Sequence, residues 1–278
     1  MDVTLVAYEK YPALAPDDVV FREALERCGA SVRVAVWSDR GVDWSRSPVT
    51  VLRETWDYPQ RYDEFLSWLG AVESQTRVIN DPALVRWNVD KRYLADLERA
   101  GIAIVPTAFV EPSEARDAAE LCAARNWDDV VMKPSVGGSS FLAARFRGAA
   151  IASDGRRHLR SLLQRGAALI QPYQAQVETQ GERALIAIGG ALTHAVSKAT
   201  FNSATETTSE RLHEPTAAET AFAHRALAAL PAPPAYARID LIPSSAGPLL
   251  LELEVVEPSL YFAFEPSSAQ RLARAVLG

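Results

Sequence analysis

Near its C-terminus the chain alternates apolar and charged residues twice, as Arg238-Ile239-Asp240-Leu241-Ile242 and then as Leu249-Leu250-Leu251-Glu252-Leu253-Glu254-Val255. Period-two alternation marks a strand with one face in a core, and two such runs across a short gap make a hairpin. Glu252 and Glu254 then share one face, with Leu251, Leu253 and Val255 on the other. A register pairing Ile242 with Leu250 sets Asp240 opposite Glu252 and Arg238 opposite Glu254. Three carboxylates so placed repel one another unless a divalent cation or strong donors neutralise them. Oxygen donors with few histidines suit Mg2+ or Mn2+ held together with phosphates, not zinc. The alternative is a solvated charged face on an edge hairpin, which the apolar flanks disfavour.

The rest of the chain suggests two kinds of architecture. Val3–Ala7, Ser31–Trp37 and Thr50–Leu52 read as strands, and Asp17–Cys28 and Tyr62–Val72 as helices. This strand–helix rhythm favours a parallel sheet in an α/β domain over residues 1–86. Beyond it, Trp87–Arg99 reads as a helix stopped by Gly101. Strands are expected at Val130–Lys133, Phe141–Phe146, Ala168–Gln171, Ala184–Ile188, Ala191–Ser197, Tyr236–Ile242 and Leu249–Val256. Helices are expected at Ser113–Arg125, His158–Gln164 and Ala217–Ala229. Strands dominate, so this half is expected to be α+β with antiparallel sheets, divided into lobes over residues 87–167 and 168–278. Gly189-Gly190 suits a two-residue hairpin turn. The polar stretch Ala199–Pro215 has the length of a lid, a binding loop or a disordered segment.

Three further segments carry possible chemistry. Lys133 ends a strand and is followed by Pro134 and then by Gly137-Gly138-Ser139-Ser140. Such a loop lets backbone N–H groups close over phosphate oxygens while the lysine supplies charge, although an ordinary turn reads the same way. It is not a Walker A loop, because the lysine precedes the glycines. Gln171-Pro172-Tyr173-Gln174 leaves a strand as a connector, followed by Glu178. Lys91 sits near a helix start, where a lysine is commonly just solvated.

Taken in order, these segments resemble the ATP-grasp superfamily over about Asn88 to Ala263, in its glutathione-synthetase/RimK-like branch. The resemblance implies an N-terminal Rossmann-like domain followed by two α+β lobes that clamp ATP. It implies that Lys91 and Lys133 contact phosphates, with Gly137, Gly138, Ser139 and Ser140 as the mobile loop over them. Gln171 to Gln174 would face adenine, where many members carry glutamate in place of Gln171, and Glu178 would hold the ribose. Asp240, Glu252 and Glu254 would bind Mg2+ (or Mn2+), although Glu254 stands where many members have asparagine. Arg238 would stabilise the transferring phosphoryl group, with Arg183 and Lys198 as further phosphate or substrate contacts. The implied chemistry is phosphoryl transfer from ATP to a carboxylate, then attack by an amine on the acyl phosphate.

Trp56-Asp57-Tyr58, Trp87-Asn88, Lys91-Arg92-Tyr93-Leu94 and Glu257-Pro258-Ser259-Leu260 resemble a bacterial subgroup that includes the ligase closing O-ureido-serine to cycloserine. Arg53, Trp56, Asp57 and Tyr58 sit at a strand-to-helix junction, where α/β sheets place ligands. They are candidate substrate contacts, or simply aromatic packing at a helix start.

Composition narrows the partners. Across 278 residues there are 29 basic and 35 acidic side chains, net −6, which argues against nucleic acid or anionic membrane as the main target. Cys28 and Cys122 lack metal-ligand spacing and read as free thiols. The N-terminus does not read as a signal peptide and no apolar run reaches membrane-span length, so a cytoplasmic protein is expected, while the subgroup resemblance implies a small amino-acid-like substrate. His158, His194, His213 and His224 show no ligand spacing; His194, near Lys198, is the one closest to the chemistry. A non-catalytic ATP-binding module and a ligase acting on peptide C-termini are the competing readings.

Overall fold

The computed structural model describes residues 1–114, 116–138, 140–198 and 210–278. The N-terminal part runs β1 (Asp2–Ala7), α1 (Pro16–Arg27), β2 (Ser31–Val36), β3 (Val49–Leu52), α2 (Tyr62–Glu73), β4 (Arg77–Ile79), α3 (Pro82–Asn88) and α4 (Tyr93–Arg99). Its four strands form an all-parallel sheet in the order β2-β1-β3-β4. A middle lobe follows, with β5 (Ala108–Val110), α5 (Ala118–Ala123), β6 (Asp129–Pro134), β7 (Ala144–Arg147), α6 (Arg156–Leu163) and β8 (Ala168–Pro172). Its strands lie in the order β5-β8-β6-β7, all antiparallel. After α7 (Val177–Gln180) come β9 (Glu182–Ile188), β10 (Ala191–Lys198), β11 (Glu210–His213), α8 (Ala217–Ala228), β12 (Tyr236–Ile242), β13 (Leu249–Glu254) and α9 (Pro266–Leu277). The five strands make an antiparallel sheet in the order β11-β10-β9-β12-β13.

Several elements differ from the sequence reading, each for a local reason. The helix expected over Trp87–Arg99 is two helices: α3 starts earlier, with Asp81 accepting from Ala83 N–H, and ends at Asn88. Lys91 lies in the break, its backbone N–H donating to Ser135 C=O at 2.8 Å. The strand expected from Phe141 begins only at Ala144, because Ser140 and Leu142 have left-handed backbone (φ 58° and 54°) that no strand accommodates. The polar stretch expected to be loop throughout contains β11, paired with β10 from Ala195↔His213 to Lys198↔Glu210. Residues 199–209 lie outside the described residues. Gly189-Gly190 is the hairpin turn, both residues at positive φ between paired Ile188 and Ala191.

The sheets divide the chain differently from the expected lobe boundaries. β8 belongs to the middle sheet, α4 packs under the C-terminal sheet, and α9 packs with α1 on the N-terminal domain. One core joins Val3, Leu5, Phe21 and Leu25 to Phe262, Leu272, Val276 and Tyr236. Tyr236 is fully buried, and its hydroxyl donates to Leu52 C=O at 2.7 Å, tying the C-terminal sheet to the end of β3. The outer edge of β13 is bridged at Leu250 by the backbone of Ala103 and Val105, and beyond that point it is completed by side chains. Asn88 donates to Leu253 C=O at 2.7 Å and accepts from Val255 N–H at 2.9 Å, while the Tyr93 hydroxyl accepts from Leu253 N–H at 2.9 Å.

Asn88 thereby satisfies two buried backbone groups flanking Glu254, and an unsatisfied buried group costs about 1–3 kcal/mol. Asn88→Ala is expected to lower unfolding stability in urea by about 2–4 kcal/mol. A loss under about 0.5 kcal/mol would mean that water or a backbone shift replaces the amide.

Candidate active site

The cleft lies where β6 and β8 of the middle lobe face β12 and β13 of the C-terminal sheet. It encloses about 320 Å³, the size of a small-ligand site. On its polar side, Asp240 pairs with Glu252 and Arg238 with Glu254. The pairing that leads to this differs from the expected one: Ile242 pairs with Leu249, and a bulge beside Asp240 leaves Leu251 without a partner on β12. The bulge also turns Leu251 into the cleft beside Glu252, whereas Leu253 and Val255 go to the core as expected.

Each carboxylate of the hairpin meets a cation. Lys133 Nζ donates to Glu252 Oε1 at 2.9 Å, and Lys91 Nζ stands 3.9 Å from the same oxygen while donating to Gly137 C=O. Both lysines are under 10% exposed. Burial alone would raise the Glu252 carboxyl, but Lys133 and Lys91 overcome it and hold the group well below the ordinary carboxylate range. Arg238 donates through Nη2 to Asp240 at 2.9 Å and pairs with Glu254 at 2.7 Å. Lys198 Nζ sits between Glu182 (2.9 Å) and Asp240 (3.2 Å). Glu254 is less well matched: burial, with Asp240 and Glu252 nearby, pushes it up to about 7 despite Arg238 and Lys198.

The donor chemistry fits a hard divalent cation. Every candidate ligand is a carboxylate, and among the described residues no histidine or cysteine lines the cleft. Among the described residues no three acidic, histidine or cysteine side chains converge closely enough to cage an ion on their own. An ion here would take its remaining ligands from phosphate and water, as Mg2+ commonly does.

The opposite wall suits a flat base. Val105, Val131, Ala143, Val177, Ile242 and Leu251 supply apolar surface. Gln171, Pro172, Tyr173 and Gln174 line the strand exit, with Gln171 donating to Thr107 Oγ1 at 2.8 Å. Ser140 lines the cleft, Gly137 and Gly138 border the adjoining recess over Lys91 and Lys133, and Ser139 lies outside the described residues. Gly137 has little room for a side chain, since a Cβ there would stand 3.2 Å from Pro134 Cγ.

Several expected contacts lie elsewhere. Arg183 is out of the cleft: β9 alternates, so Glu182 points to Lys198 while Arg183 points to the face covered by α8. There it donates to Ser197 Oγ at 2.6 Å and stands 3.8 Å from Glu219. Glu178 is exposed at the rim on α7, held by Arg145 (3.1 Å) and by the Tyr173 hydroxyl (2.8 Å). Arg145, which the sequence reading missed, stacks on the Tyr173 ring at 3.3 Å and also pairs with Asp129. His194 is a half-buried, satisfied histidine, bonded to Leu260 C=O and Thr193.

Among the expected substrate contacts, Arg53 is fully buried, donating to Asp18 at 2.6 Å and to Pro258 C=O at 2.8 Å. It lies over the Tyr236 ring, so it is a pin between domains and not a surface contact. Asp57 accepts from Trp37 Nε1 and Tyr58 packs on Phe65, so both are used in packing. Trp56 is half-buried against Tyr8 and Tyr11 and donates to Glu257 C=O at 2.9 Å, at the junction of the domains. Glu54 was missed because it lies in no alternating charged run, and Glu257 was read only as part of the Glu257-Pro258-Ser259-Leu260 segment.

A RimK-domain ATP-grasp protein from Sphaerobacter thermophilus has this fold, superposing with a TM-score of 0.73 at 19% identity over 100% of both chains. The crystal structure of D-cycloserine synthetase DcsG superposes with a TM-score of 0.91 at 31% identity, over 99% of this chain and 98% of that one. The protein is an ATP-grasp ligase. It is 35% identical over 275 residues to the cycloserine biosynthesis protein DcsG of Streptomyces lavendulae, covering 91% of this chain and 90% of that protein. Residues 3–80 match the family described as D-cycloserine synthetase DcsG, N-terminal domain, and the chain belongs to the DcsG family. Among the described residues no helix is long and apolar enough to cross a membrane.

Glu54 gives the N-terminal domain a pH dependence. Burial pushes its carboxyl up to about 7, helped by Asp18 and opposed by Ala15 N–H and Arg53. The folded protein then keeps a proton that the unfolded chain releases near 4.5. Stability from protonated Glu54 is complete below that value and is lost as pH rises through about 7. Thermal melts between pH 5 and 8 are expected to show a decline of up to about 1.4 kcal/mol per pH unit from this group, flattened in Glu54→Gln. An identical slope in the variant would assign the decline to another residue.

Proposed function

We propose that the protein uses Mg2+ and ATP to activate the carboxylate of a small amino-acid-like substrate and joins it to an amine of the same molecule, a cycloserine-type ring closure. The observation that carries this reading is the ring of Lys91, Lys133, Lys198 and Arg238 around Asp240, Glu252 and Glu254, in the cleft and the recess that adjoins it. Its second support is kinship to a D-cycloserine synthetase across nearly the whole chain.

In this reading adenine lies against Gln171 to Gln174, and the phosphates run toward Lys91, Lys133 and the Gly137-Gly138 loop. Asp240, Glu252 and Glu254 are the residues that would hold magnesium, which when bound neutralises phosphate charge and aligns the terminal phosphoryl group. The protein's own residues orient the reactants. Lys133 and Lys91 leave Glu252 for phosphate oxygens, and Arg238 faces the charge that develops as the substrate carboxylate attacks the terminal phosphorus. ADP leaves and the acyl phosphate remains. The amine nitrogen then bonds to the acyl carbon as inorganic phosphate departs. This route requires no nucleophilic serine or cysteine.

Phosphate release measured with Mg2+-ATP over amino acids, dipeptides and ureido-amino acids tests the reading. Release is expected only with a small amino-acid-like class, and Glu252→Gln is expected to cut it by about 100-fold or more. Tight ATP binding with no release for any candidate would contradict it. Lys133→Ala is expected to weaken ATP binding by about tenfold or more, a loss of about 1.4 kcal/mol. Unchanged affinity would remove Lys133 from the phosphate site.

A further inference from the structure

Glu257 opens the Glu257-Pro258-Ser259-Leu260 segment, and none of the roles assigned above uses its carboxyl. It lies three residues beyond β13, where three parts of the molecule meet. From the middle lobe, Gly138 of the phosphate-facing loop comes so close that a Cβ there would stand 3.5 Å from Glu257 Oε1. From the N-terminal domain, Trp56 Nε1 donates to the Glu257 backbone C=O at 2.9 Å. The C-terminal sheet supplies the residue itself. The carboxyl thus lies against the loop at Gly138, while the backbone of the same residue is held by the N-terminal domain.

Its pairing sets it apart. Glu182, Asp240, Glu252 and Glu254 each have a lysine or arginine nitrogen within 4 Å. Among the described residues, Glu257 has no such ion pair. The charged and titratable groups that act on it or face it are Glu254 on β13, Lys91 in the α3–α4 break, Arg238 and Tyr236 on β12, and Tyr58. Burial and Glu254 raise the carboxyl to about 8 while Lys91 and Arg238 oppose them. A group so poised exchanges a proton near neutral pH, as a general base must.

We propose that Glu257 is the general base of the ring-forming step, taking the proton from the attacking nitrogen; this rests on the ligase reading above. The nitrogen lone pair forms the C–N bond. The bond between the acyl carbon and the phosphate oxygen breaks, its electron pair leaving on inorganic phosphate. The N–H proton passes to the Glu257 carboxylate and then to solvent. No redox partner or added co-reactant is needed.

Hydroxylamine separates this step from the one before it, because it captures an acyl phosphate without help from the base. The experiment compares wild type, Glu257→Gln and Glu257→Asp for hydroxylamine-dependent phosphate release, for ligation and for the pH profile of kcat. Glu257→Gln is expected to keep trapping within about twofold while ligation falls by about 100-fold or more and the ascending pH limb disappears. Glu257→Asp is expected to recover part of the rate and the limb. Equal loss of trapping and ligation in both variants, or ligation by Glu257→Gln with the wild-type pH profile, would overturn the assignment alone. A rise in KM with kcat and its pH profile intact would also overturn it, making Glu257 a binding residue. No trapping by the wild-type enzyme with any substrate would overturn the ligase reading and this inference with it.

Discussion

Three carboxylates on one hairpin face cannot be buried together without counter-charge, and this requirement organises the cleft. Moving an ionised carboxylate out of water costs several kcal/mol even after relaxation, and a paired cation must recover it. Glu252 takes its cations from Lys133, 119 residues away in sequence, and from Lys91. Asp240 takes Arg238 and Lys198, and Glu254 shares Arg238. The neutralising groups therefore come from the middle lobe, the α3–α4 break and two strands of the C-terminal sheet. Bringing them together gathers four basic side chains around the hairpin acids, the arrangement on which the proposed phosphate site rests.

That arrangement depends on neighbours holding no charge in the cleft. Asn88 and Tyr93, with the backbone bridge at Leu250, satisfy the outer edge of the strand that carries Glu252 and Glu254. Tyr236 and the buried Arg53–Asp18 pair fasten the N-terminal sheet to β12 and to Pro258. These bonds fix where the Glu257 segment runs. They explain why conspicuous residues at the β3 exit serve as pins between domains, leaving Trp56 and Glu257 at the junction that a substrate would approach.

Much of this was legible in the sequence because alternation is a geometric statement. The facing of Asp240 with Glu252, and of Arg238 with Glu254, follows from period-two patterning even though the bulge shifts the pairing beyond Asp240. The bulge itself has no sequence mark here, so the turn of Leu251 into the cleft was hidden. Arg183 was misplaced for the same geometric reason, since on β9 a phase error of one residue exchanges it with Glu182. Lys91 was legible as a cation but not as a residue in a break between helices, because Asp81 and Pro82 start α3 earlier than the apolar pattern suggests. Glu257 and Arg145 matter through their neighbours in space, and no spacing rule reaches those. The lobe boundaries shifted because β8 pairs backward with β6, and α4 and α9 dock across domains.

The most direct measurement is a crystal structure with magnesium and a non-hydrolysable ATP analogue. Phosphate oxygens are expected within hydrogen-bonding distance of Lys91 and Lys133, with the Lys133–Glu252 contact of 2.9 Å broken and a metal ion ligated by Asp240 and Glu252. An analogue bound outside this cleft, or bound with that contact intact and no metal on the hairpin acids, would contradict the site as assigned.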